Sequence, residues 1–233
     1  MILKKSLRAR YYIMAKIVTI FLFFSTILSI ATPGIGEIND EKSKENIVFH
    51  DKIIQTLAET GNSPEDIIRW QKECPTSTLR FLSEMLPDEQ EMIASLAKYI
   101  RKVNPKIASK TLWREACAFA YYSKKYGVPK ELLIAVAKAE SHFDPKATSS
   151  KGAVGVMQVV WDTHSALLSA NGITSKNHLN DPELGIAAGA LLLSRYIRAY
   201  GSEHKALDRY YGTASVRYKN MINKNMMALE SFL

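Results

Sequence analysis

Apolar residues recur along most of the chain at three- and four-residue intervals, punctuated by prolines and glycines, a pattern that predicts helices joined by short turns. Ile47, Ile53, Ile54 and Leu57 mark a first helix that stops at Gly61. Ser63-Pro64 supplies an N-cap and a first-turn proline for a second, which ends before Pro75. Leu79, Leu82 and Leu86 mark a third, closed by Pro87, and Met92, Ile93, Leu96 and Ile100 a fourth, closed by Pro105. A longer helix carries Leu112, Ala116, Phe119 and Ala120 and ends at Gly127, and Pro129 opens the next. Asp181-Pro182 caps a helix whose stripe of Ile186, Ala190, Leu193 and Ile197 runs to Gly201. Two more helical segments cover Ala206–Tyr211 and Val216–Met227. No strand pair and no internal repeat stands out, so the expected fold class is all-α.

One position breaks the hydrophobic logic. In the helix after Pro129, Leu132, Leu133, Val136 and Glu140 fall at i, i+1, i+4 and i+8, which puts a carboxylate on the stripe that faces the core, with Glu131 and Lys138 opposite. Desolvation favours the neutral form of a carboxyl, and the negative end of the helix dipole pushes the same way. Glu140 is therefore expected to hold its proton near neutral pH, as a general acid must if it is to protonate a poor leaving oxygen. The loop that follows contains KGAVGVMQ, in which Gly152, Ala153 and Gly155 let backbone approach a ligand or another segment closely, and Gln158 offers an amide to sugar hydroxyls.

The first 31 residues have a different character. They hold Lys4, Lys5, Arg8, Arg10 and Lys16, no acid, and an apolar run from Ile17 to Ala31, the arrangement of an export signal, either cleaved after Ser29-Ile30-Ala31 or retained as an anchor. Residues 32–46 are polar and read as a linker. The formal net charge of +8 falls to +3 without residues 1–31, because five of the 31 basic residues leave and all 23 acids stay. The remainder shows no dense basic stripe, so nucleic acid is not an expected partner. Contact with a membrane is expected only through the N-terminal segment, if it is kept. Cys74 and Cys117 are the only cysteines, a count that permits one disulfide in an exported protein or two free thiols.

Glu140-Ser141, Phe143-Asp144-Pro145, Ser149 and Gly152-Ala153-Val154-Gly155-Val156-Met157-Gln158 together resemble the signature of soluble-type lytic transglycosylase domains, which are related to goose-type lysozyme. Asp181-Pro182 with Ile186 and Gly189, then Ala206-Leu207 leading to Tyr210, extend the resemblance over roughly residues 110–225. It implies a lysozyme-like helical catalytic domain over residues 108–233, with residues 47–107 as a small helical accessory segment. It also implies a substrate, peptidoglycan glycan strands, and a reaction that breaks the β-1,4 bond between N-acetylmuramic acid and N-acetylglucosamine without water, leaving a 1,6-anhydro end. No cofactor and no metal is implied.

On this resemblance Glu140 is the one acid and base, Ser149 and Gln158 contact substrate, Gly155 and Met157 belong to the groove, and Tyr210 bonds Glu140. Ordinary glycosidases need two carboxyls. The other acids offer no second one, since Asp144 and Asp181 precede proline and read as turn or cap residues, and Asp208 reads as a surface acid. Three positions depart from the family's pattern: Trp161 stands where proline is frequent, Gly185 where asparagine is common, and Tyr210-Tyr211-Gly212 where the family usually reads Tyr-Asn-x-Gly. Trp161 reads as a core residue. The rival expectations are a hydrolysing muramidase on the same fold and an inactive peptidoglycan-binding scaffold. An envelope machine is a further candidate partner.

Overall fold

A computed structural model describes residues 49–233; the expected export signal and linker lie outside the described residues. Nine α-helices follow in these residues. They are α1 (Asp51–Glu59), α2 (Pro64–Glu73), α3 (Pro87–Val103), α4 (Ser109–Tyr126), α5 (Lys130–Ser141), α6 (Trp161–Ser169), α7 (Pro182–Tyr200), α8 (Glu203–Tyr211) and α9 (Val216–Glu230). Two 3-10 segments, Thr78–Glu84 and Lys176–Asn180, join α2 to α3 and α6 to α7. The all-α class expected from the periodicity is borne out. No helix among the described residues is long and apolar enough to cross a membrane.

The capping chemistry sets the boundaries. Pro64 occupies the first turn of α2, where its missing N–H costs nothing, and the Ser63 amide donates to Asp66 Oδ2 at 2.9 Å. Asp181 caps α7 by accepting from the amides of Glu183 and Leu184 at 3.0 and 3.1 Å. Gly127 and Gly201 close α4 and α7 in the left-handed region, the conformation that made them visible as stops. Leu79 and Leu82 are both fully buried, and their three-residue spacing suits the 3-10 turn that forms there in place of the expected α-helix.

The core is organised around α5. Helices α4, α7 and α9 pack on it, and every side chain from Leu132 through Ala137 is buried. This enclosure is wider than a single stripe, so the helix interior is apolar on all sides and only its ends reach water. Asn225 of α9, itself buried, reinforces the contact by donating to the Ala135 carbonyl at 3.1 Å.

Helices α1 to α3 and the first 3-10 segment share this core through α4. Their firmest tie is polar. Glu183, at the start of α7 and 4% exposed, accepts from the Ser77 hydroxyl, from the Thr78 amide at 2.6 Å, from the Thr78 hydroxyl at 2.9 Å and from Arg114 Nε at 2.6 Å. Arg114 completes its fork on Asp181 at 2.7 Å. A carboxylate this deep is tolerable because every lone pair finds a donor.

One expectation needs correcting. A short antiparallel hairpin is present, β1 (Ala153–Val154) with β2 (Val159–Val160), pairing Ala153 with Val160 and Val154 with Val159. Two-residue strands carry no alternation for the sequence to display.

Candidate active site

Glu140 sits in the last turn of α5, half-buried, where the helix leaves the core. The Tyr218 hydroxyl donates to its Oε1 at 2.6 Å. Burial pushes the Glu140 carboxyl above its ordinary value, and the bond from Tyr218 holds it partly back. Tyr218 is 3% exposed, and burial together with the Glu140 charge pushes its phenol far above the usual range, so it remains a donor. The direction expected for Glu140 from its place on the stripe is thus the direction found.

The chain beyond Glu140 reverses sharply. His142 and Phe143 both adopt positive φ, 54° and 62°, an unusual pair for residues with side chains. The surroundings enforce it: Phe143 is wholly buried, with its ring edge-on to Tyr99 and Phe119 at 6.2 and 5.9 Å, and its carbonyl accepts from Asn104 Nδ2 at 3.1 Å. Ser141 fastens the helix end to the returning loop, donating to the Val156 carbonyl at 2.7 Å and accepting from the Asp144 amide at 3.2 Å.

The loop itself is built on close approaches. Gly155 has φ 79°, and a Cβ there would stand 1.9 Å from the Leu179 carbonyl oxygen. A Cβ on Gly189 of α7 would stand 2.6 Å from the Met157 side chain. Gln158, at φ 46°, donates through Nε2 to the carbonyls of Ala147 and Gly155, both at 3.0 Å. Ser149 Oγ accepts from the Ala153 amide at 3.1 Å, which leaves its own proton available to a ligand.

The sequence that builds this site is similar to that of known proteins. Residues 117–228 match the family described as Transglycosylase SLT domain. The match covers a little under half of the chain. Among curated relatives, the membrane-bound lytic murein transglycosylase C of Salmonella arizonae is 28% identical over 214 residues, covering 81% of this chain and 57% of its own length. The same-named protein of Pectobacterium atrosepticum is 29% identical over 164 residues, covering 67% of this chain and 44% of its own length. That of Yersinia pestis is 38% identical over 92 residues, covering 37% of this chain and 26% of its own. The chain therefore spans a little over half the length of the first of these relatives. An alignment over 81% of the chain also reaches beyond residues 117–228, so the similarity extends outside the residues matched to the family. The solved 70 kDa soluble lytic transglycosylase of Escherichia coli superposes with a TM-score of 0.41 at 24% identity, over 60% of this chain and 25% of its own.

Several of the expected site contacts differ in the structure. Tyr210 does not hold Glu140: its hydroxyl donates to the Met157 carbonyl at 2.7 Å, and Tyr218 takes the expected place. The reason is which helices meet, because Tyr218 lies on α9, which packs directly along α5, whereas Tyr210 lies on α8 and reaches the loop. Tyr218 was legible in principle. It begins the buried stripe Tyr218, Ile222, Asn225 and Leu229, a polar tip on an apolar face, just as Glu140 is. Met157 and Gly155 are not open to a ligand through their side positions: Met157 is wholly buried against Gly189, and Gly155 is spent on the approach to Leu179. Trp161 is partly buried and packs on the core, as expected.

The disulfide allowed between Cys74 and Cys117 is not formed; both are free thiols. Cys74 ends α2 beside Lys110, about two helical turns before Cys117 along α4, and Cys117 is wholly buried near Glu183. Burial pushes the Cys117 thiol up, which makes it inert.

A second acid is more deeply placed than Glu140. Glu115 of α4 is completely buried, and neither of its oxygens has a hydrogen-bond partner among the described residues. Burial pushes its carboxyl well above the ordinary value, the Asp144 charge adds to this, and Arg114 opposes it. At that depth its neutral form is favoured over the charged one.

Proposed function

We propose that the protein is an exported peptidoglycan lytic transglycosylase in which Glu140 acts first as acid and then as base. The observation that carries this reading is the state of Glu140: a carboxyl raised by burial, kept on target by Tyr218, within the residues matched to the SLT family. In the first half, protonated Glu140 gives its proton to the glycosidic oxygen, the bond from muramoyl C1 to that oxygen breaks, and N-acetylglucosamine departs as an alcohol. In the second half, the Glu140 carboxylate takes the proton of the C6 hydroxyl while O6 bonds to C1. The 1,6-anhydro ring closes, the proton is back on Glu140, and no water is consumed.

The Tyr218 bond supports both halves. It is weak enough in effect to leave the carboxyl raised, yet it stabilises the carboxylate that exists between the two proton transfers. Ser149, with its free hydroxyl proton, and Gln158, with its carbonyl oxygen free of the two bonds made by Nε2, are the proposed substrate contacts. The relatives named as membrane-bound murein transglycosylases support an envelope location, reached through the export signal.

Mass spectrometry of digested sacculi tests the reading. Anhydromuropeptides from the natural protein and none from Glu140→Gln are the expected results. Reducing ends would show hydrolysis instead, and equal cleavage by both proteins would remove Glu140 from the mechanism.

A further inference from the structure

Tyr211 occupies the position where the family's motif usually carries asparagine. It is the last residue of α8, fixed there by the left-handed Gly212 that ends the helix at φ 92°. Its ring is stacked on Tyr218, with centroids 4.4 Å apart and planes 19° from parallel. Tyr218 is 3% exposed, whereas Tyr211 is 51% exposed. One face of the Tyr211 ring is thus backed by the tyrosine that bonds Glu140, and much of the rest of the ring meets solvent.

An exposed aromatic ring backed by a second ring has a specific chemical use. The π face carries partial negative charge and attracts the polarised C–H groups that line one face of a pyranose, while the phenol tip stays wet. With only two side-chain torsions, both restrained by the stack and by the helix end, little freedom is lost when a ligand lands on it. Asparagine offers no such face. Tyr211 sets such a platform one ring away from the Tyr218 hydroxyl that bonds Glu140.

We propose that Tyr211 is a saccharide-stacking residue of this site, taking a pyranose of the glycan strand on its outer face next to the bond that Glu140 breaks. The inference rests on the glycan-cleaving reading above and adds to it a binding residue.

The test uses the full protein carrying Glu140→Gln, so that binding is read without turnover, and soluble glycan strands released from peptidoglycan as the probe. Isothermal calorimetry should show Tyr211→Phe binding within about twofold of the parent, and Tyr211→Ala and Tyr211→Asn about tenfold more weakly. With Glu140 intact, the loss from Tyr211→Ala should fall on KM, and the alkaline fall of the pH profile should stay in place. Unchanged binding by Tyr211→Ala would overturn the inference. So would a loss that falls on kcat and moves the pH profile, because Tyr211 would then be a prop for Tyr218. The two failures separate: if Glu140→Gln binds strands equally well with and without Tyr211, only the platform is lost. If Glu140→Gln binds no strand at all, the glycan reading falls together with it.

Discussion

Replacing Glu115 should make the protein more stable, by an amount that depends on pH. The folded state keeps the Glu115 carboxyl protonated well above the ordinary value of 4.5, because burial penalises its charge and neither oxygen has a donor to offset that. The unfolded chain releases the same proton at the ordinary value. Above it the folded state binds the extra proton, so the stability contribution of this group is complete below pH 4.5 and declines as pH rises, until the folded carboxyl itself titrates. The decline is about 1.4 kcal/mol per pH unit for as long as the folded carboxyl keeps its proton.

Two variants divide the effect. Glu115→Gln cannot ionise but keeps an unpaired polar group, so it removes the pH slope alone. Glu115→Met also removes the unpaired polar group, worth about 1–3 kcal/mol more. Urea unfolding at pH 5, 6 and 7 gives the difference from the natural protein at each pH, in which the other titrating groups cancel. For a protein of this size each kcal/mol moves the melting midpoint by about 2–4 °C, so thermal melts of the variants should rise above that of the natural protein by more at pH 7 than at pH 5. A difference between Glu115→Gln and the natural protein that is the same at all three pH values would refute the reasoning. It would mean that the side chain is charged and satisfied.

Three further outcomes follow from contacts already described. Tyr218→Phe removes the one influence that lowers the Glu140 carboxyl, so the alkaline fall in kcat/KM should move to higher pH, while kcat drops about ten- to a hundredfold with the lost bond to the carboxylate. A pH–rate profile reads both. Arg114→Met strands the buried Glu183 charge and should cost about 3–5 kcal/mol in urea unfolding. Gly155→Ala should abolish folding, because its Cβ would overlap the Leu179 carbonyl, whereas Gly152→Ala, at φ 81° and with only the Lys176 ammonium as near as 4.0 Å, should cost only about 1–2 kcal/mol. Soluble yield and thermal melts separate this pair.

The parts of the molecule legible in the sequence are those where one residue type has one physical job. Asp181 before Pro182, Ser63 before Pro64, and Gly127 and Gly201 after apolar stripes mark helix ends by capping chemistry alone, and the structure places them so. Glu140 was visible because a carboxylate interrupts a stripe. The same signal stands at Glu115, three residues after Leu112 and four before Phe119, but nothing downstream of it in the sequence marks a site. The partner of Glu140 was misassigned because sequence spacing does not say which of two late helices packs on α5. Gly155 and Met157 looked like groove residues because a glycine that admits a ligand and one that admits a carbonyl oxygen read alike until the neighbour is in view.

The mounting of Glu140 has a consequence for when the site can be lost. It projects from the end of a helix whose middle is sealed on every side, and the turn after it is pinned by Phe143, Asn104 and Ser141. Amide protons of α5 should accordingly exchange only through whole-domain opening, so that catalytic competence survives local fraying and disappears with the last cooperative unit to melt.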